Sequence, residues 1–247
     1  VMKLRLMIAL LLVLPATGSP AADPDPVALQ QQAEAAVTET RKRQPAYALL
    51  AEQQAGFRVS WREQLRQFMA VNGRRNTQAA SRAIATALGL NASTAYLSRS
   101  DDNAIDALLI QQRRLMTMAQ TDTRLCSILL NTATARLDEN GHAPWLLRKP
   151  YSALLPDLES ALSGIVMSAQ GRPARTLPEA QSQQFTQRIA ARVGERHGRE
   201  GLDDLERMQN DNTAPAQRCR GVSRLLEAIA EQPPELRAQL MRIYFGQ

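Results

Sequence analysis

The chain has 247 residues, 44% of them hydrophobic and 22% charged, with only 4% aromatic and a formal net charge of +6. That much apolar content supports a packed core and excludes a wholly disordered chain. Scarce aromatics beside plentiful Leu, Ala, Gln, Glu and Arg exclude an all-β fold, and so modest a charge argues against nucleic acid as a partner.

The N-terminus carries the strongest single signal. Lys3 and Arg5 precede an unbroken apolar run from Leu6 to Leu14, which Pro15 ends before a small-residue segment holding Ser19 and Ala21. This order of charge, apolar run and small residues is the layout of a secretory signal peptide, with cleavage expected after Ala21 or, alternatively, after Gly18. The run is about half the ~20 residues that a membrane-crossing helix needs, so a cleaved leader is expected, with no stable span afterwards. Removal of residues 1–21 takes Lys3 and Arg5 away and lowers the charge from +6 to +4. The 27 arginines against 3 lysines, with Val1 preceding Met2, suit a Gram-negative bacterium, so the expected destination is periplasmic or secreted.

Residues 22–247 read as one helical domain, with a possible subdivision near 138–150, where DENGHAPWLLRKP holds Gly, Pro and both charge signs. The first helix is expected from Val27 to Arg43. Pro45 suits the first turn of a second helix that Gly56 stops. Ser60 and Glu63 have the spacing of a capping box, which would start a third helix whose apolar face is Trp61, Leu65, Phe68 and Met69. Thr77 caps a small-residue helix ending at Gly89. Ser100 caps an amphipathic helix with Ile105, Leu108, Leu109, Leu115, Met116 and Ala119 on one face, interrupted by a single polar gap at Gln112. A partner helix carries Cys126 and runs to about Leu137. Tyr151 to Ala169 is a buried helix with its true first turn at Pro156. Phe185, Ile189 and Val193 mark a helix ending near Gly198–Gly201, and a short element follows from Leu202 to Met208. Pro215 opens a helix bearing Cys219, and Pro233-Pro234 introduces a closing one. The fold class is therefore all-α, an irregular bundle of roughly ten helices pinned by one disulfide.

Cys126 and Cys219 are the only cysteines. In an oxidising compartment they are expected to pair, closing a loop of about 94 residues worth at most ~4–5 kcal/mol in the chain-entropy description. The two histidines, His142 and His197, have neither H-E-x-x-H nor any other metal-ligand spacing, so no metal and no cofactor is implied. Arg188, Arg192, Arg196 and Arg199 form a stripe suited to gripping an anion, although Glu195, Glu200, Asp203 and Asp204 lie close enough to pair with it. Nucleophile elbows, phosphate loops and dinucleotide fingerprints are missing, and no pair of carboxylates declares itself as a glycosidase couple.

These readings converge on an exported protein, leaning to a non-enzymatic one. It would bind an envelope or secreted partner as scaffold, inhibitor or immunity-like protein. The alternatives are a cell-wall hydrolase with an unrecognised site and a polyanion-binding protein.

Overall fold

The computed structural model describes residues 25–130, 145–175, 177–210 and 212–246, and among them the chain is all-α: eleven α-helices, two short 3-10 turns and no strand. The expected signal segment, the helix end expected at Leu137 and His142 lie outside the described residues.

Four helices form the first layer: α1 (Pro26–Arg43), α2 (Pro45–Gln53), α3 (Ala55–Asn72) and α4 (Thr77–Ala92). Their shared centre is Trp61, fully buried and edge-on to Tyr47 and Phe57 at centroid distances of 5.8 and 5.7 Å. The Trp61 indole N–H donates to the Ser81 carbonyl at 2.9 Å, so its polar edge is satisfied. The capping box expected at Ser60 does not form. Helix α3 begins at Ala55, five residues earlier, and the Glu63 carboxylate pairs with Arg66 at 2.7 Å. Burial of Phe57, one turn before Trp61, extends the apolar stripe upstream, and that packing outweighs a cap worth ~1 kcal/mol. Gly56 accordingly sits inside α3 rather than ending α2.

Gly89 is likewise no stop. α4 continues through it to Ala92, because α8 (Leu155–Ser168) crosses there; a Cβ on Gly89 would stand 2.4 Å from Leu162 Cδ2. Glycine here permits a close helix approach. α8 packs on α2, α4 and α6 (Asp102–Ala119), and so ties the first layer to the rest. Pro156 occupies its first turn as expected.

The short α5 (Thr94–Leu97) leads to α6, whose apolar face buries Ile105, Leu108, Leu109, Leu115, Met116 and Ala119, the six positions the periodicity marks. The cap is Asp101 and not Ser100: its carboxylate accepts the Ala104 amide at 2.8 Å. Ser100 is buried, with its hydroxyl 2.9 Å from the Ile165 carbonyl of α8. α7 (Thr123–Leu130) follows. α9 (Glu179–Arg207) is two helical segments that meet at Gly198, whose φ of +61° and ψ of −153° are non-helical, so the helix end expected near Gly198–Gly201 and the short element after it are both present. α10 (Pro215–Ala230) packs on α6, α7 and α9, and α11 (Pro234–Phe245) closes over α6. Arg242 of α11 reaches the Ser100 carbonyl at 2.7 Å and Asp102 at 2.6 Å, which fixes the corner between α5 and α6.

Candidate functional site

Cys126 on α7 and Cys219 on α10 are joined in a disulfide, both fully buried, with their Cα atoms 6.0 Å apart. The bridge pins two helices separated by 93 residues of sequence. One turn beyond each cysteine the same helices begin to line a cavity: Leu129 and Leu130 follow Cys126, and Val222 and Leu226 follow Cys219.

That cavity is about 280 Å³. Leu90 and Asn91 of α4, Thr94 of α5, Leu115 and Met116 of α6, and Phe245 of α11 complete its walls with Gln112 and Arg218. The lining is mostly hydrocarbon. The Thr94 hydroxyl donates to the Asn91 carbonyl at 2.9 Å, and Arg218 Nε donates to the Met208 carbonyl at 3.1 Å. Gln112 differs. Its Oε1 is buried with no hydrogen-bond partner among the described residues, and Gln112 is the polar gap in the otherwise apolar α6 stripe.

The two buried carboxylates among the described residues are committed elsewhere. Glu159 of α8 is 7% exposed and forms a bidentate pair with Arg82, with the Tyr47 hydroxyl 3.5 Å away. Burial pushes the Tyr47 hydroxyl pKa far up, so it stays protonated and donates within this cluster, 2.6 Å from Thr86. Asp204 of α9 is 1% exposed and lies 2.7 Å from Arg224 and 3.3 Å from Arg220. Neither acid is free to shuttle a proton. A third polar cluster sits at the start of α7, where the Tyr151 hydroxyl donates to Asp122 at 2.5 Å and Asp122 also accepts the Leu125 amide. Those bonds hold the Asp122 carboxyl below its ordinary range, while burial and the Asp122 contact raise Tyr151 to about 12.

The arginine stripe lies on the exposed side of α9. Arg192 and Arg196 converge on Glu231, at the end of α10, so half of the stripe is engaged within the fold. Arg188 and Arg199 are exposed. His197 is 24% exposed, with Nε2 3.8 Å from Glu227. Among the described residues no three His, Cys, Asp or Glu side chains gather as a metal site, and no helix is long and apolar enough to cross a membrane.

Sequence reasoning found the two cysteines and the polar gap at Gln112 but not the cavity. The walls come from six helices, and no local pattern records that Leu90, Leu130 and Phe245 share a space. No family model, curated protein or solved structure matches the chain.

Proposed function

We propose that the chain is exported and acts by contact rather than catalysis, holding an envelope component in the cavity between α4, α6, α7, α10 and α11. The observation that carries this reading is the cavity: a mostly apolar space walled by six helices, the composition of a binding site. The disulfide supports it by bracing the α7 and α10 walls one turn from the lining. The engagement of Glu159 and Asp204 by arginines supports the non-enzymatic half, because cleavage of a glycosidic bond needs two carboxylates disposed about a cleft. The N-terminal leader supports export. Scaffold, inhibitor and immunity-type roles are all forms of this contact.

The test is retention. Immobilised mature chain is exposed to envelope extract, and the same is done with Val222→Phe, which fills the cavity from a half-buried wall position. The reading expects a component held by the wild type and lost by the variant. Identical retention by both, or cleavage of purified cell-wall polymer that Glu159→Gln abolishes, contradicts it. Anion binding along α9 is a second reading, favoured by the exposure of Arg188 and Arg199. It expects heparin retention that falls when both become Ser.

A further inference from the structure

We infer that His197 and Glu227 form a pH-dependent clasp that tightens the bend in α9 against α10 in mild acid, independently of what the cavity holds. The setting is a ladder of charge pairs between the two helices. Before the bend α9 supplies the cations: Arg192 meets Glu231 at 2.9 Å, and Arg196 meets the same carboxylate. After the bend the signs exchange. Glu200 meets Arg224 at 3.0 Å, and Asp204 meets Arg224 at 2.7 Å and Arg220 at 3.3 Å. His197 lies where the signs change, with Nε2 3.8 Å from Glu227. The other cations of the ladder are arginines, which keep their charge. Histidine is the side chain that ordinarily changes charge between pH ~5 and ~8. Among the described residues Glu227 has no other ion-pair partner, so this rung is complete only when His197 carries a proton.

The backbone seats the imidazole at the bend. Gly198, next in the chain, takes φ +61° and ends the first segment of α9 at His197. A helix C-terminus favours positive charge there. Gly201 is buried, and a Cβ on it would stand 2.5 Å from His197 Cβ, so glycine lets the second segment lie this close to the histidine. The neighbouring charges are committed: Arg196 to Glu231, Arg224 to Glu200 and Asp204, and Glu195 to Arg192. Arg199 is exposed just past the bend. From α11, which also packs on α9, Tyr244 bonds the Thr186 side chain about three turns before His197. Arg237 and Arg242 of α11 pair with Asp106 and Asp102 of α6, and its Glu235 is exposed. The clasp is therefore present when His197 is charged and is lost as pH rises through the histidine range.

Hydrogen exchange of the oxidised mature chain, read by mass spectrometry, tests this. Protection at residues 197–204 is compared at pH ~5 and pH ~8, after correction for the intrinsic pH dependence of exchange. Protection should be about threefold higher at the lower pH, the scale of one partly exposed ion pair. His197→Gln and Glu227→Gln should each abolish the difference, and Glu227→Gln carries the test if the histidine variant does not fold. His142→Gln, which removes the other histidine, should keep it. Equal protection at the two pH values in wild type overturns the clasp. So does an undiminished difference in either Gln variant of the pair, or a difference that His142→Gln abolishes.

Discussion

Gly221 marks a close crossing of α9 and α10, and replacing it tests the packing quantitatively. A Cβ added at Gly221 on α10 would stand 2.3 Å from the Asp204 carbonyl oxygen on α9 and 2.9 Å from Cβ of Met208, the residue that caps α9. The nearest obstacle is backbone, so relief requires α9 and α10 to move apart. Overpacking of this kind costs ~1–3 kcal/mol, and a rigid obstacle places it at the upper end. Separation also lengthens the 2.7 Å pair between Arg224 and the buried Asp204, adding about 1 kcal/mol. Against this, alanine gains about 1 kcal/mol over glycine in a helix. The net for Gly221→Ala is a loss of ~2–3 kcal/mol, or roughly 5–10 °C in Tm for a domain of this size. Gly56→Ala is the control: that glycine is exposed in α3 and its Cβ would meet nothing within 4 Å, so the change should stabilise by about 0.5 kcal/mol. Urea and thermal unfolding followed by far-UV circular dichroism, with the disulfide intact, give both values. A Gly221→Ala protein as stable as wild type, or a Gly56→Ala protein equally destabilised, refutes the assigned crossing.

The remaining expectations concern the bridge, the buried ion pair and the response to pH. Replacing Cys126 and Cys219 together by Ser should lower stability by up to ~4–5 kcal/mol, since the bridge spans 93 residues, and reductant should reproduce the loss in wild type by urea titration. Arg82→Met leaves the Glu159 carboxylate buried without its ion-pair partner. Because the Arg82 side chain is 41% exposed and water screens the pair, a loss of ~1–3 kcal/mol is expected, which Glu159→Gln in the same chain should partly restore. Tyr151 has its pKa raised from 10.0 to about 12, so its contribution is complete below pH ~10 and is lost as pH rises toward about 12. Asp122 is lowered, so its contribution is present above the ordinary carboxylate range and disappears as acid protonates it. Stability measured against pH should therefore fall at both ends, and Tyr151→Phe should flatten both falls.

Where local chemistry agreed with packing, the sequence was legible. The α6 face was readable because six apolar residues recur at helical spacing, and the pairing of Cys126 with Cys219 followed from a count of two. Pro156, Pro215 and Pro234 occupy first turns as their fixed φ requires. The misread boundaries share a physical cause. Gly56, Gly89 and Ser60 carry local signals to stop or start a helix, yet Phe57 burial and the Leu162 contact decide otherwise, and both are tertiary. The polar gap at Gln112 was visible, but its meaning depends on walls contributed from residues as far apart as Leu90 and Phe245. Engagement of Arg192 and Arg196 by Glu231 was hidden for the same reason, since Glu231 lies on another helix.

The central claim is that an exported chain acquires a covalent brace between α7 and α10, and intact mass of natively produced protein tests it most directly. The account predicts a chain beginning at Ala22 that takes up no alkylating agent until reduced and two equivalents afterwards. A chain that retains residues 1–21 and alkylates at both Cys126 and Cys219 without reduction would contradict it.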